Sequence, residues 1–450
     1  MTHSYKLCGY NIVLDIASGS IHSVDEVAYD AINEYERLGR GETVSLIKSK
    51  YDYLTDADIS ELFCDIERPI SRGKLFSVDS FENAAAPKWE SHIKALCLNV
   101  SHLCNMTCSY CFAGKGEYNG SGGLMDFETG KRAIDFLIDN SGARMNLDVD
   151  FFGGEPLLNW EVVKDIVRYA RKAEQGKNKR IRFTLTTNGI LIDDDVISFT
   201  NREMHNIVLS LDGRPEINDA VRKLANGEGS YAVVMPKMKK LVEARHGKGY
   251  YIRGTFTREN TDFVQDILHL ADLGFKELSM EPAVSKPGEP HALTMDDLPE
   301  IGRQYETLAI EMLRREKEGR GFTFYHYKLD LSGGPCVHKR IAGCGVGTEY
   351  MAVTPAGELF PCHQFVGNRE FLMGDIWQGI TNTDLRREFG ACGVYSNEEC
   401  RSCWARFYCS GGCKANAYNA AGNIGGVYKL GCEMFKKRVE CAIMIKVAGV

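Results

Sequence analysis

The sequence lacks any apolar run long enough to cross a membrane. Its first residues, MTHSYKLCGYN, also lack the charged segment followed by an apolar segment that is typical of a secretory signal. We therefore expect a cytoplasmic protein that has no membrane partner.

Clustered basic residues are absent as well. The formal net charge is −7, and the 54 basic and 61 acidic residues are interspersed along the chain. Proteins that bind nucleic acids usually present a basic face, so this pattern argues against a nucleic-acid partner. Sustained heptads that would predict a coiled coil are also missing.

Cysteine, in contrast, is abundant, with 16 residues in a chain of 450. Cytosolic thiols stay reduced, so clustered cysteines in such a protein usually bind metal. Cys104, Cys108 and Cys111 lie within eight positions, and most of the remainder fall in residues 336–432. The distribution predicts two separate metal-binding regions.

We divide the chain into three predicted domains, at residues 1–85, 93–325 and 336–440. The first contains a predicted hairpin in YNIVLDIASGSIHSVD, followed by helices in VAYDAINEYERL and DADISELFCDI. The polar stretch SVDSFENAAAPKWES is the predicted linker to the second domain.

The second domain is predicted to have an α/β fold. Six β-rich runs, separated by helical stretches, recur at roughly 20 to 50 residues, as parallel strand–helix units require. The runs are ALCLNV, LDVDFF, RFTLTT, NIVLSL, YIRGTF and ELSMEP. Six units predict an open, partial (β/α)6 barrel, whose chemistry lies on the loops after the carboxyl ends of the strands.

Unusual residues follow the first four runs. The three clustered cysteines come after the first run, and GGEP, residues 153–156, comes after the second. Asn188-Gly189 and Asp212-Gly213 follow the third and fourth. Because these loops share one edge of a parallel sheet, we expect them to form one site.

Three thiols on one loop can bind three irons of a 4Fe-4S cube and leave the fourth iron free for a small molecule. The alternatives are a zinc site or three reactive thiols. Zinc usually takes four ligands, or combines cysteine with histidine, and the spacing here differs from the common zinc patterns. The iron–sulfur interpretation is therefore favoured.

The pattern Cys104-x3-Cys108-x2-Cys111, with the aromatic Tyr110 before the last cysteine, resembles the signature of the radical S-adenosylmethionine (SAM) superfamily. The resemblance implies that the open iron binds the amino and carboxylate groups of S-adenosylmethionine. It also implies that an electron cleaves this molecule to a 5′-deoxyadenosyl radical, which abstracts a substrate hydrogen. The three cysteines are thus the expected catalytic cluster ligands.

The same resemblance implies a set of S-adenosylmethionine contacts. Gly153, Gly154 and Glu155 correspond to the segment that meets the methionine amino group, although GGEP alone could be a plain turn. Arg222 is expected to bind the carboxylate, with a solvated surface arginine as the alternative. The full expected set is Tyr110, Gly153, Gly154, Glu155, Asn188, Ser210, Asp212 and Arg222.

The C-terminal cysteines resemble the seven-cysteine SPASM extension of radical SAM enzymes that modify peptides. The match covers Cys344, Cys362, Cys400, Cys403, Cys409, Cys413 and Cys432. A zinc ribbon, the alternative, has to explain all seven. By resemblance they hold two auxiliary 4Fe-4S clusters, for a total of three in the chain.

The resemblance assigns Cys344, Cys362 and Cys413 to the auxiliary cluster nearer the active site. Cys400, Cys403, Cys409 and Cys432 are assigned to the distal cluster. Cys336 either completes the nearer cluster or leaves one iron open, which could bind and deprotonate a substrate thiol. Both possibilities stay open.

Two further features bear on the reaction. Anaerobic sulfatase maturases have an aspartate after the second extension cysteine, whereas this chain has His363. The first domain resembles the winged-helix peptide-recognition domain of peptide maturases, which binds a leader peptide at a sheet edge. A DNA-binding winged helix is disfavoured because basic residues do not cluster in its helices.

Together these features resemble the maturases of the cysteine-rich SCIFF peptides. That family implies a thioether between a cysteine sulfur and the α-carbon of another residue in a ribosomally made precursor peptide. An external electron donor such as flavodoxin or ferredoxin is implied too. The alternatives are formylglycine formation, epimerisation, a carbon–carbon crosslink, or a non-catalytic iron–sulfur electron carrier.

Overall fold

The computed structural model describes residues 1–82, 91–114, 116–118, 123–285, 288–331 and 337–449. Cys336 and much of the predicted linker lie outside the described residues. No helix in the described ranges is both long and apolar enough to span a bilayer.

Strands occur between residues 2 and 380. They are β1 (Thr2–Leu7), β2 (Tyr10–Asp15), β3 (Ile21–Val24), β4 (Ala95–Ser101), β5 (Asn146–Gly153), β6 (Arg180–Thr187), β7 (Asn206–Ser210), β8 (Tyr250–Phe256), β9 (Glu277–Pro282), β10 (Thr323–Phe324), β11 (Tyr350–Val353), β12 (Glu358–Phe360), β13 (Gly374–Asp375) and β14 (Gly379–Ile380).

Helices connect these strands and form most of the two terminal regions. They are α1 (Glu26–Lys50), α2 (Asp56–Ser71), α3 (Phe127–Asp139), α4 (Trp160–Ala173), α5 (Asp194–Glu203), α6 (Pro215–Val221), α7 (Tyr231–Ala244), α8 (Val264–Asp272), α9 (Leu298–Lys317), α10 (Val337–Ala342), α11 (Thr383–Ala391), α12 (Glu398–Arg401), α13 (Arg406–Cys409), α14 (Lys414–Ala421) and α15 (Lys429–Val447).

The predicted N-terminal hairpin and helices are present. β2 and β3 pair antiparallel as the hairpin, and β1, which the sequence analysis did not predict, completes a three-stranded sheet. α1 is kinked at Gly39, whose φ of 73° lies in the left-handed region, so it forms two helical pieces before α2. A capping box between Thr55 and Asp58 starts α2.

Alternation in β2 divides the N-terminal sheet between two cores. Ile12 and Leu14 pack into the large central core, whereas Val13 packs with Ile32 and Phe63 in a smaller core under α1 and α2. This follows from the twofold period of a strand. The first region is therefore attached to the rest of the molecule by one face of its sheet.

All six predicted barrel strands are present as β4 to β9. They are parallel neighbours in sequence order within an eleven-stranded sheet. In β8 the buried Tyr250, Ile252 and Phe256 belong to the core, while the alternate residues Arg253 and Thr255 line a cavity inside the barrel. The interior is consequently polar and the outer layer apolar.

The sheet extends beyond the six predicted strands. β10 adds to β9, and β11 pairs in parallel with β4 at the opposite edge. β12, β13 and β14 continue from β11 as short antiparallel strands. Part of the C-terminal region therefore lies in the same sheet as the barrel, and the domain division at residues 325 and 336 stays a prediction.

Candidate active site

A cavity opens where the loops after the barrel strands converge. Cys104, Cys108 and Cys111 line it, and among its described lining residues these are the only thiols. Seven of the eight predicted cofactor contacts line it as well: Tyr110, Gly153, Gly154, Glu155, Asn188, Ser210 and Arg222. The structure thus brings together residues that lie more than a hundred positions apart.

The two glycines of GGEP lie against the backbone of the cysteine loop. A Cβ atom on Gly153 would lie 2.2 Å from the carbonyl oxygen of Ser101, and one on Gly154 would lie 2.2 Å from that of Leu103. The Gly154 and Glu155 amides donate to these same carbonyls, at 2.7 and 2.9 Å. Close packing against the cysteine loop is therefore one reason for the glycine pair.

Glu155 joins two of the converging loops. Its carboxylate accepts hydrogen bonds from the Thr187 hydroxyl and the Asn188 amide, both at 2.8 Å. The Leu157 amide donates a third bond at 3.0 Å. Burial raises the pKa of Glu155 to about 7, against the lowering effect of these hydrogen bonds. The residue lines the cavity, but its oxygens are already engaged within the protein.

Asp212 is the one predicted cofactor contact that does not line the cavity. It is fully buried, and its Oδ2 accepts a hydrogen bond from the Tyr110 hydroxyl at 2.6 Å. Its Oδ1 accepts from the Thr255 amide at 3.0 Å, and the Arg222 guanidinium lies 4.0 Å away. Arg222 in turn donates to the Tyr110 hydroxyl at 2.8 Å.

This arrangement gives Asp212 a different part from the predicted one. The carboxylate balances Arg222 and orients Tyr110, so in this conformation it supports the cavity wall instead of reaching into the cavity. Burial raises the pKa of Asp212, and the Arg222 charge opposes that rise. Arg222 is only 7% exposed, so it is not the solvated arginine of the alternative interpretation.

The three thiols are close enough to influence one another. Burial raises the pKa of Cys104 to about 11, and the Cys108 and Cys111 thiols raise it too. In the described residues no three cysteine, histidine or acidic side chains meet as a single metal ion requires. A 4Fe-4S cube fits this donor set better, since each of its irons takes a separate thiolate.

The C-terminal thiols form two groups. Burial raises the pKa of Cys362, with smaller contributions from the neighbouring thiols of Cys413 and Cys344. Burial also raises the pKa of Cys432 to about 12. Cys409, Cys400 and Cys403 add to that rise. These are the two sets that the resemblance assigned to separate clusters, and iron binding by them stays a prediction.

His363 lies beside a second cavity that continues from the first. Its imidazole lies 3.4 Å from the Tyr350 hydroxyl and packs near the rings of Phe152 and Phe112. Burial lowers the pKa of His363 to about 4, so the imidazole is neutral at physiological pH.

Sequence reasoning missed an ion pair in the barrel interior. Arg253 and Glu281 are 2.6 Å apart and line both the thiol cavity and the adjoining one under the C-terminal region. Burial alone would raise the pKa of Glu281, but the Arg253 charge outweighs it and lowers the pKa to about 2. The sequence offered one sign of this pair: Arg253 in YIRGTF and Glu281 in ELSMEP are charged residues inside otherwise largely apolar predicted strands.

Comparison with known proteins identifies the domain. The sequence profile of the Radical SAM superfamily matches residues 98–271, which include the cysteine loop and the strands β5 to β8.

Three relatives illustrate the similarity. An uncharacterized protein of Methanocaldococcus jannaschii is 30% identical over 204 residues, which are 45% of this chain and 66% of that protein. The radical SAM cyclopropyl synthase TigE of Paramaledivibacter caminithermalis is 21% identical over 93% of this chain and 89% of its own. A cysteine-type anaerobic sulfatase-maturating enzyme of Clostridium novyi is 24% identical over 76% of this chain and 92% of its own.

Solved structures share the fold. The native sulfatase maturase anSMEcpe with bound AdoMet and the Kp18Cys peptide covers 79% of this chain and 99% of its own, with 22% identity and a TM-score of 0.64. Streptococcus suis SuiB bound to its precursor peptide SuiA covers 91% of this chain and 94% of its own, with 17% identity and a TM-score of 0.54.

The thiol-lined cavity lies at the loop ends of a partial barrel, and the profile match covers the cysteine loop and four of the strands around it, β5 to β8. The chain therefore contains a Radical SAM domain over residues 98–271, and its homologues include anaerobic sulfatase-maturating enzymes.

Proposed function

We propose that this protein is a radical SAM peptide maturase, which links a cysteine sulfur to the α-carbon of another residue in a ribosomally made, cysteine-rich precursor peptide. The observation that carries the proposal is the cavity in which the Cys104, Cys108 and Cys111 thiols face Asn188, Ser210 and Arg222. The relatives TigE, SuiB and AlbA, the last a subtilosin biosynthesis protein, support a peptide as substrate.

The residues of this cavity suit S-adenosylmethionine and a 4Fe-4S cluster. Together these groups supply a 5′-deoxyadenosyl radical that abstracts a hydrogen atom from the substrate. Cys104, Cys108 and Cys111 hold the cluster, and Arg222 offers a guanidinium to a carboxylate. Glu155 fixes the loop after β6, and Tyr110 fixes Arg222, so the cavity walls are set before any ligand enters.

The peptide approaches from a separate cavity of about 700 Å³ beside the cysteine loop, which includes none of the C-terminal cluster thiols among its described lining residues. Tyr110, Phe112 and Gln364 line both this cavity and the thiol cavity, so a bound peptide segment reaches the cofactor beside them. Phe112 is 43% exposed at this junction and offers an apolar face to the peptide.

The N-terminal region provides a place for the leader peptide. β3 is the last strand of its sheet in the described residues, pairing with β2 on one side only. A leader segment can add to the free edge of β3 through backbone hydrogen bonds. Residues 1–85, 93–325 and 336–440 then serve as the leader-binding, radical SAM and auxiliary-cluster domains.

The proposed reaction balances as a two-electron oxidation of the peptide. One hydrogen atom leaves the acceptor carbon, and the cysteine thiol loses its proton as its sulfur bonds to that carbon. One surplus electron remains, for which the two C-terminal thiol groups provide auxiliary 4Fe-4S acceptors. Flavodoxin or ferredoxin is the proposed external electron donor.

The test is an anaerobic reaction of the iron-reconstituted full chain with S-adenosylmethionine, a reductant and a cysteine-rich precursor peptide. We expect 5′-deoxyadenosine together with a peptide that has lost two hydrogen atoms and one alkylatable thiol. Fragmentation then locates the crosslink. The variant with Cys104, Cys108 and Cys111 replaced by alanine is the control and yields neither product.

Each alternative has its own readout. Epimerisation leaves the peptide mass unchanged, and a carbon–carbon crosslink removes two hydrogen atoms but leaves every thiol alkylatable. Formylglycine is found as an aldehyde that reacts with hydrazine reagents. A chain that carries iron at all three sites but forms no 5′-deoxyadenosine would contradict the proposal that it is an enzyme.

A further inference from the structure

Lys414 is a buried cation that the proposed reaction does not use. It is 7% exposed, and its Nζ donates to the Gly411 carbonyl at 3.1 Å. In the described part of the chain it has no carboxylate partner. Burying an ammonium without a counter-ion is costly, so the fold retains this charge at the expense of stability.

The position of Lys414 in its helix adds to that cost. It is the first residue of α14, directly after the N-cap Cys413. The amino end of a helix carries a partial positive charge, which favours anions and disfavours a cation there. Helix formation therefore does not explain why a lysine occupies this position, whereas an anionic partner close to its Nζ would explain it.

The C-terminal thiols are the groups that can become this partner. Lys414 lines the same cavity as Cys400, Cys409 and Cys432. The Gly411 carbonyl that accepts from its Nζ lies between Cys409 and Cys413 in the sequence, and the next residue, Gly412, donates its amide to the Cys409 carbonyl at 3.3 Å. The ammonium is thus held against the turn that follows Cys409, in the cavity lined by three of the four thiols proposed to hold the distal cluster.

Lys436 provides a contrast within the same structure. It also lies near this group, since the Cys403 and Cys432 thiols act on its charge. Lys436 pairs with Glu433 at 2.7 Å, however, and its side chain is 29% exposed. Its charge is consequently balanced by a carboxylate and screened by water.

We propose that Lys414 is the counter-ion of the distal 4Fe-4S cluster and raises its reduction potential, an inference that rests on the proposed auxiliary clusters. Four thiolates give such a cluster a negative charge, which grows by one when the cluster is reduced. A buried cation stabilises the reduced form more than the oxidised form. Lys414 is therefore a positioning residue that makes the distal cluster a better electron acceptor.

The test is a redox titration of the reconstituted full chain, followed by electron paramagnetic resonance. Cys104, Cys108 and Cys111 are replaced by alanine so that the first cluster is absent. The distal signal is the one that disappears when Cys400→Ala is added. Lys414→Met, Lys414→Gln, Lys414→Arg and Lys436→Met are then compared in this background.

We expect Lys414→Met to shift the reduction equilibrium of the distal cluster at least tenfold toward the oxidised form. For a one-electron couple this lowers the reduction potential by about 59 mV. Lys414→Arg keeps the charge and Lys436→Met leaves Lys414 in place, so each changes the equilibrium less than threefold. If the Lys414→Met variant loses the distal iron, the potential is measured in Lys414→Gln instead. The neutral amide of glutamine can still donate a hydrogen bond to the Gly411 carbonyl.

The outcomes separate this inference from the proposed function. An unchanged distal potential in an iron-loaded Lys414→Met or Lys414→Gln variant would overturn the role of Lys414 and leave the auxiliary clusters standing. Equal shifts in the Lys414→Met and Lys436→Met variants would also overturn it. A parent chain without distal iron would overturn the inference together with the proposed auxiliary clusters.

Discussion

At the scale of the single residue, Gly154 illustrates how sterics position the candidate cluster loop. Its α-carbon lies so close to the loop that a Cβ would lie 2.2 Å from the Leu103 carbonyl oxygen and 3.2 Å from the Cys104 Cβ. The two nearest atoms are the carbonyl oxygen and carbon of the Leu103 backbone, so no flexible side chain can move aside. The cysteine loop therefore keeps its position only if residue 154 is glycine.

We predict that Gly154→Ala reduces the iron bound by the first cluster site and lowers the free energy of unfolding by about 1–3 kcal/mol, as overpacking does. Iron per chain after anaerobic reconstitution and denaturant unfolding measure the two effects. Gly302→Ala is the matched control, because Gly302 lies within α9 and a Cβ there meets no atom within 4 Å. Equal iron content in both variants would contradict the steric argument.

Asp150 is a buried carboxyl whose ionisation should change the stability of the protein. It lines the barrel interior, where burial and then the charge of Asp148 raise its pKa to about 6. Ionisation of a carboxyl with a raised folded pKa destabilises the protein, so stability falls as pH rises from about 4 through 6 and stays lower above that.

We predict that Asp150→Asn raises the free energy of unfolding by about 1–3 kcal/mol at pH 8 and changes it little at pH 4. Urea denaturation at the two pH values measures the difference. Asp52→Asn is the control: its side chain is exposed, so the free energy of unfolding should change little at either pH. A gain that is independent of pH would contradict the assignment to ionisation.

The sequence predicted the chemically distinctive residues of the site better than their contacts. Cys104, Cys108 and Cys111 were found because their spacing is visible in one dimension. The position of Asp212 behind Tyr110 and Arg222 was not predicted, because it depends on three loops that meet only in the folded chain. Lys414 was missed for the same reason, because only burial distinguishes it from a surface lysine.

At the scale of the element, one aspartate ties the N-terminal hairpin to the chain that leaves its domain. Asp15, at the end of β2, accepts hydrogen bonds from the Ser18 amide and from the amide and hydroxyl of Ser77. Burial alone would raise the pKa of Asp15, but these hydrogen bonds outweigh it and hold the pKa below its usual range.

We predict that Asp15→Asn lowers the free energy of unfolding of the N-terminal region by about 1–3 kcal/mol at pH 7, as expected for hydrogen bonds to a charged group. The carboxylate stabilises the fold above its unfolded pKa, and the difference between variant and parent disappears as pH falls through the lower folded pKa. Hydrogen exchange of the β2 amides at pH 7 and pH 3 measures this. Asp52→Asn, at an exposed position, should change neither.

Element lengths decided which strands could be predicted. β4 to β9 contain five to eight residues with apolar alternation or continuous apolar runs, which is enough for a pattern. β10, β13 and β14 have two residues each, and β13 and β14 each begin with a glycine, so these strands are too short to show a periodicity. β1 was missed because His3, Ser4 and Lys6 interrupt its apolar residues.

At the scale of the whole molecule, the first and last regions are joined by buried polar contacts. Arg406, which is 5% exposed, pairs with Asp79 at 3.0 Å, and the Tyr395 hydroxyl donates to the same carboxylate at 2.9 Å. Nearby, His3 stacks on Trp404 with ring centroids 3.8 Å apart. The N-terminal region thus contacts the segment that carries Cys403 and Cys409.

We predict that Arg406→Met weakens this junction by about 1–3 kcal/mol, because Asp79 then keeps a partly buried charge without its cation. Differential scanning calorimetry should resolve a separate transition for the N-terminal region. Arg401→Met is the control, since its pair with Glu82 is about half exposed and such pairs contribute little. One shared transition in both variants would contradict a role for Arg406 in coupling the regions.

The parallel pairing of β11 with β4 also limits how such proteins can be recombined. Tyr350 to Val353 align with Ala95 to Leu98, so the C-terminal region contributes a strand beside the one that leads into the cysteine loop. A chimera that exchanges everything after residue 336 would replace one side of that ladder. An exchange of C-terminal regions between related chains therefore has to leave β11 with its own barrel and place the crossover after β12.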